Sequence, residues 1–82
     1  MSTESIKIYG ADWCPDCHRS KNYLEQQQVP FQWINVDQND EAQAYVREMN
    51  DNKLIIPTIL FPDGTVMVEP SNAQLSRKIR EV

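Results

Sequence analysis

The sequence predicts an α/β domain over residues 1–82, in which a mixed four-stranded sheet carries three helices in the order β-α-β-α-β-β-α. Segments that alternate apolar and polar residues, as strands do, are separated by segments whose apolar residues recur at helical spacing. The two strand–helix–strand crossings predict parallel strands, whereas the short loop between the last two strands requires an antiparallel pair. The sheet is therefore expected to be mixed.

The first half of the chain predicts strand, helix, strand and helix in turn. The stretch 5–10, SIKIYG, alternates as a strand does, and two cysteines follow it at once. A helix is expected to begin at Pro15, where the missing N–H costs nothing, and to end near Gln28. Residues 31–36, FQWINV, carry bulky apolar groups on both faces, as in a strand covered on both sides. Residues 39–50 form a helix with the apolar stripe Ala42, Tyr45, Val46 and Met49.

The second half predicts a hairpin followed by a helix. After the polar turn 50–53, the strands 58–61 and 65–68 flank the sequence PDG, in which Pro sets φ and Gly permits positive φ. A last helix is expected over 71–82, because Ser71 and Gln74 have the spacing of a capping box. Its apolar stripe consists of Leu75, Ile79 and Val82.

Composition excludes several classes of protein. The chain has 82 residues and a net charge of −4, which fits one small domain with a modest core. Lys and Arg occur without a basic run, which argues against nucleic acid as a partner. The sequence shows no positively charged leader and no apolar stretch of membrane-spanning length. We therefore expect a cytoplasmic protein that does not bind membranes.

The chemistry is expected at Cys14 and Cys17, the only cysteines of the chain. Cys14 falls at the start of a helix, where unpaired N–H groups and the helix dipole favour a negative sulfur. The thiolate is the nucleophilic form of cysteine. Cys17 lies one turn further on and can attack a mixed disulfide held by Cys14. The pattern predicts that Cys14 attacks and Cys17 resolves.

The two cysteines also allow two other interpretations. A structural zinc site needs about four ligands. Beyond Cys14, Cys17 and His18 the chain offers no further Cys or His, so no metal site is expected. Inert, buried cysteines are the second alternative. A CxxC between strand and helix in a chain expected in a reducing compartment favours redox chemistry.

The neighbours of the cysteines allow more than one interpretation. Trp13 is expected to be partly exposed beside the sulfur rather than part of the core. His18 is either a proton carrier for the thiols or a helix residue that points away from Cys14. Asp16 either places a negative charge near Cys14 or caps the helix start and points into water. Pro57 interrupts an apolar run, so it must start a strand or hold a special geometry.

These motifs together resemble a glutaredoxin of the thioredoxin fold. WCPDC follows a strand, IPTILF precedes a DG hairpin, and a capped helix ends the chain. The resemblance covers nearly the whole chain and is greatest to the mycoredoxin-like branch. In that branch a Trp precedes the CxxC, as Trp13 does here. Three further motifs follow in the same order, and they correspond here to IPT at 56–58, DGT at 63–65 and PS at 70–71.

The resemblance implies roles for residues outside the motif. It implies that Pro57 is cis and packs beside the sulfurs, and that the backbone of Ile56 pairs with the cysteinyl unit of a bound thiol. It also implies that a carboxylate binds at the start of the last helix, near Ser71 and Asn72. Lys53 is a candidate for a second contact with that carboxylate.

Some residues depart from the glutathione-dependent pattern. The third position of the motif is Asp16 instead of Tyr, and the basic residue expected before the motif corresponds to Ala11, followed by Asp12. The Asp that would bind the γ-glutamyl amine corresponds to Ala73. These departures weaken the case for glutathione and favour mycothiol, another low-molecular-weight thiol or a dedicated protein partner.

We therefore expect a monomeric thiol–disulfide oxidoreductase with no bound cofactor. Its co-substrate would be mycothiol or glutathione, and its substrates would be S-thiolated or disulfide-containing proteins. A flavin-dependent reductase is a candidate electron source. The alternative is an iron–sulfur or metal carrier, in which Cys14 thiolates of two subunits and two small thiols hold a cluster. Pro15 stiffens the loop beside the nucleophile and disfavours this alternative.

Overall fold

A computed structural model describes residues 5–80, which form four strands, three α-helices and one short 3-10 helix. The strands are β1 (Ile6–Gly10), β2 (Phe31–Asn35), β3 (Thr58–Leu60) and β4 (Val66–Val68). The helices are α1 (Pro15–Gln26), α2 (Asp40–Met49) and α3 (Asn72–Ile79), and the 3-10 helix is Val36–Gln38. The predicted element order is confirmed. Among the described residues, no helix has the length and apolar character needed to cross a membrane.

The strands form one mixed sheet in the order β2-β1-β3-β4. β1 is parallel to β2 and antiparallel to β3, and β3 is antiparallel to β4. The expectation that both crossings are parallel is therefore wrong for the second one. Because β3 is antiparallel to β1, it starts at the end of the sheet where β1 finishes. The stretch 50–57, between α2 and β3, provides the chain length for this return.

Most element boundaries agree with the sequence, and the differences have local causes. Val36 starts the 3-10 helix instead of ending β2, because the side chain of Asn35 accepts the N–H of Asp37 at 2.9 Å and turns the chain. Met49 was expected on the buried stripe of α2 but is 42% exposed, because it lies in the last turn. The prediction that Val82 belongs to the apolar stripe of the last helix concerns a residue outside the described part of the chain.

The core is divided between the two faces of the sheet. On one face, Leu24 of α1 and Leu75 of α3 pack against side chains of the strands. On the other face, Val46 of α2 packs against Tyr9. A third, smaller cluster lies where β1 ends, and its buried members are Ala11, Cys14 and Cys17. The sheet thus supports the two cysteines at the carboxyl end of a central strand.

The hairpin between β3 and β4 is attached to α3 by an ion pair. Gly64 has a φ of 90°, which glycine adopts readily. Asp63 accepts the N–H of Thr65 at 2.9 Å through Oδ1 and the Nζ of Lys78 at 2.6 Å through Oδ2. The hydrogen bond from Lys78, followed by the one from Thr65, lowers the pKa of Asp63 from 3.8 to about 2.

We predict that Asp63→Asn lowers the melting temperature slightly at neutral pH and clearly less near pH 2, where about half of the Asp63 side chains are protonated. The substitution keeps an acceptor for the N–H of Thr65 and removes the ion pair with Lys78, which is exposed and therefore weak. Because folding lowers the pKa of Asp63, its stabilisation is present above pH 3.8 and is lost as the pH falls towards about 2. Thermal unfolding at both pH values measures the effect. Glu48→Gln, at an exposed acid of α2, is the control, and a loss for Asp63→Asn that does not change with pH would contradict the argument.

Candidate active site

Cys14 occupies the N-cap of α1, where its backbone is extended with φ −91° and ψ 109°. Its sulfur accepts the backbone N–H of Cys17 at 3.1 Å, and its own N–H donates to the carbonyl of Ala11 at 3.2 Å. Pro15 is the first helical residue, as predicted. The sulfur therefore lies at the positive end of the helix, where a thiolate is stabilised. Cys14 is only 5% exposed.

Cys17 has a different environment from Cys14. It is fully buried on the face of α1 that packs against the sheet, and both cysteines are free thiols. Burial raises the pKa of the Cys17 thiol to about 12, and its hydrogen bond with Cys14 adds to the rise. Cys17 is therefore held as a protonated thiol beneath Cys14. This asymmetry agrees with the predicted roles of attacking and resolving cysteine.

Trp13 is the exposed aromatic residue beside the nucleophile. Its side chain is 67% exposed, in agreement with the prediction. The indole Nε1 donates to Oδ2 of Asp37 at 2.8 Å, so the 3-10 helix holds the ring in place. This contact was not predicted, because the 3-10 helix that carries Asp37 was not predicted.

His18 has contacts that explain its orientation. Its Nε2 donates to the carbonyl of Asp12 at 2.6 Å, and its ring stacks on Trp33 with 6.0 Å between centroids. These contacts favour the interpretation of His18 as a helix residue that points away from Cys14. The ring links the motif loop to β2.

Asp16 forms an ion pair that neither sequence interpretation included. Arg19 donates to Oδ1 of Asp16 from Nε at 3.0 Å and from Nη2 at 2.8 Å. The same guanidinium donates to the carbonyl of Pro70 at 2.8 Å and to the side chain of Asn72 at 2.6 Å. Asp16 is therefore neither an unpaired charge nor a residue that simply points into water. Arg19 was missed because two of its partners lie more than fifty positions away.

The start of α3 forms one side of an open cleft of about 430 Å³ next to the motif. The capping box is present: the Ser71 hydroxyl accepts the N–H of Gln74, and the Gln74 side chain accepts the N–H of Ser71. The cleft thus brings the predicted residues Ser71 and Asn72 close to Asp16. Its lining residues are Asp16, Arg19, Glu69, Ser71, Asn72 and Gln74.

The loop before β3 supplies the other side of the site. The Ile56–Pro57 peptide is cis, as the resemblance implied. Pro57 is buried, and its carbonyl accepts the N–H of Glu69 at 2.8 Å. Ile56 packs against the cluster of the two cysteines. Lys53 is exposed, and no contact among residues 5–80 links it to the motif.

Within the described part of the chain, no three His, Cys, Asp or Glu side chains lie close enough to bind a metal ion together.

We predict that Arg19→Gln slows alkylation of Cys14 by iodoacetamide about threefold at neutral pH and low salt. The substitution leaves the carboxylate of Asp16 unpaired in the first turn of α1, where a negative charge disfavours the thiolate. Adding Asp16→Asn to the same variant should restore the rate. Arg77→Gln removes the same charge from the exposed face of α3 and is the control. A double variant as slow as Arg19→Gln would mean that Arg19 acts only by holding α3.

The chain is similar to several known proteins. The family model described as Glutaredoxin matches residues 6–66. Mycoredoxin 1 of Corynebacterium glutamicum is 37% identical, over 92% of this chain and 92% of its own. The glutaredoxin-like NrdH-redoxin of Escherichia coli superposes with a TM-score of 0.77 at 26% identity, over 88% of this chain and 91% of its own. A glutaredoxin of Archaeoglobus fulgidus superposes with a TM-score of 0.76 at 20% identity, over 96% of this chain and 89% of its own. The predicted thioredoxin-like fold is confirmed.

Proposed function

The chain belongs to the glutaredoxin family, and we propose that it reduces mixed disulfides between proteins and a low-molecular-weight thiol. As a member of this family it is a thiol–disulfide oxidoreductase with a CxxC pair. One observation carries the assignment of roles to the cysteines. The Cys14 sulfur receives an N–H at the start of α1, while Cys17 is fully buried with a raised pKa.

The proposed reaction has two steps. The Cys14 thiolate attacks the sulfur of the small thiol in a mixed disulfide, and the protein leaves as a thiolate that takes up a proton. A second small thiol then attacks the new Cys14 disulfide, and Cys14 leaves as a thiolate stabilised by the helix N-terminus. With a protein disulfide as substrate, Cys17 performs the second attack. A Cys14–Cys17 disulfide then remains, which a flavin-dependent reductase or small thiols would reduce.

We propose mycothiol as the small thiol. The relative named Mycoredoxin 1 supports this choice, as do Ala11 and Ala73 at positions where glutathione binding favours charged residues. The cysteinyl unit would pair with the backbone of Ile56. A carboxylate of the ligand would then enter the cleft at the start of α3, where the N-terminal end of that helix favours negative charge. Contacts from Ser71, Asn72 and Lys53 stay predictions.

The cellular location, the oligomeric state and the absence of a bound cofactor are also proposals. A catalytic CxxC that must return to the dithiol state suits a monomer in the reducing cytoplasm, with no bound cofactor. The iron–sulfur carrier alternative stays a prediction, and a brown colour of the purified protein would favour it.

We predict that Cys14→Ser abolishes reduction of a mixed disulfide substrate, because it removes the nucleophile. Cys17→Ser should keep most of this activity, because a second small thiol can resolve the adduct, and should lose reduction of protein disulfides. Coupled assays of kcat/KM with mycothiol and with glutathione as reductant measure both effects. Ala73→Asp is the matched variant for thiol choice, because it should raise kcat/KM with glutathione and not with mycothiol.

Two results would contradict the proposal. An active Cys14→Ser variant together with an inactive Cys17→Ser variant would reverse the roles of the cysteines. A wild-type protein that uses glutathione more efficiently than mycothiol would refute the proposed co-substrate and leave the oxidoreductase activity intact.

A further inference from the structure

The buried thiol of Cys17 lies directly against the backbone at the end of β1. A Cβ atom at Gly10 would be 2.9 Å from the Cys17 sulfur and 3.0 Å from the Cys17 Cβ. Favourable contacts between carbon atoms occur at about 3.5–4.0 Å, so this space cannot hold a side chain while Cys17 keeps its position. Gly10 therefore lets the sulfur come closer to the strand than any other residue would.

The backbone of the same segment contacts both cysteines. Ala11 lies in the same buried cluster as both cysteines, and its backbone opposes the rise in the pKa of Cys17 that burial causes. The carbonyl of Ala11 accepts the N–H of Cys14 at 3.2 Å. Gly10 is itself fixed in the sheet, opposite Asn35 of β2. The end of β1 thus forms a rigid support with the two cysteines on it.

The indole of Trp33 packs beside Gly10 and against the cluster of the two cysteines. Its Cη2 would lie 2.9 Å from a Cβ at Gly10, and the ring packs against the cluster of the cysteines. The ring is held by the stacked imidazole of His18 and by the Nζ of Lys21, which lies 5.1 Å from the ring centroid. A shift of the Cys17 side chain towards β2 is therefore blocked.

We propose that Gly10, with the Trp33 ring beside it, is a positioning residue that sets the direction from which the Cys17 sulfur attacks a mixed disulfide on Cys14. The proposal rests on the proposed function, in which Cys17 resolves the adduct. In that step the Cys17 thiolate forms a bond to the Cys14 sulfur, the bond between Cys14 and the substrate sulfur breaks, and the substrate leaves as a thiolate. The proton of the Cys17 thiol is taken up by the departing thiolate or, where that thiolate stays ionised in water, by the buffer. The two protein sulfurs end as a disulfide, and the substrate sulfur is reduced.

The test separates the two attacks in one experiment. The reduced protein is mixed with a small excess of dithiobis-nitrobenzoate, an aromatic disulfide that releases a coloured thiolate at each attack. Attack by Cys14 releases the first thiolate, and attack by Cys17 on the adduct releases the second. We expect Gly10→Ala to slow the second phase about tenfold to a hundredfold, since a displacement of about 1 Å can cost that much. The first phase should slow much less than the second, because Cys14, its nucleophile, is not among the atoms that a Cβ at Gly10 would meet.

A second pair of variants covers the case in which Gly10→Ala fails to fold. Trp33→Leu should slow the second phase about threefold or more. Phe31→Leu is the matched control, because Phe31 lies on the same strand, is also partly buried and packs away from the cysteines. Phe31→Leu should leave the second phase unchanged.

The outcomes are distinct. The positioning role is refuted if Gly10→Ala leaves the second phase unchanged or slows both phases equally. Equal effects of Trp33→Leu and Phe31→Leu on the second phase would refute it as well. A wild-type protein with no second phase at all would instead contradict the proposed role of Cys17.

Discussion

The site depends on one interaction, the hydrogen bond from the Cys17 backbone N–H to the Cys14 sulfur at 3.1 Å. A helix N-cap is usually Ser, Thr, Asp or Asn, whose oxygen accepts this N–H. Here a sulfur takes that place, so the nucleophile is fixed at the positive end of α1. The same helical turn directs Cys17 into the buried face of α1. The geometry of a single turn therefore makes two identical side chains chemically different.

The sheet provides the other half of the arrangement. β3 is antiparallel to β1, and its first residue, Thr58, is paired with Tyr9 near the end of β1. Pro57, the residue before β3, therefore lies at the end of the sheet where β1 stops. Pro57 is buried at this edge, and Ile56 packs against the cysteines. The guanidinium of Arg19 joins α1 to the start of α3 on the far side of the motif. Three separate parts of the chain thus meet around one sulfur.

The sequence predicted the features that are decided by neighbouring residues. The CxxC at a strand–helix junction, the PDG turn and the capping box of Ser71 depend on contacts within a few positions, so local pattern was sufficient. The direction of β3, the ion pair of Arg19 with its distant partners, and the contact of Trp13 with Asp37 depend on how the elements pack. No local pattern indicates such contacts. The packing of Trp33 and Ile56 against the cluster of the two cysteines is a contact of the same kind.

The central claim is that the two cysteines differ in reactivity because of where α1 places them. Alkylation with one equivalent of iodoacetamide at neutral pH tests it, followed by tandem mass spectrometry of the tryptic peptide that ends at Arg19 and contains both cysteines. The account predicts that the label is on Cys14 and that Cys17 is unmodified. A label on Cys17, or one shared equally between the two sulfurs, would contradict it.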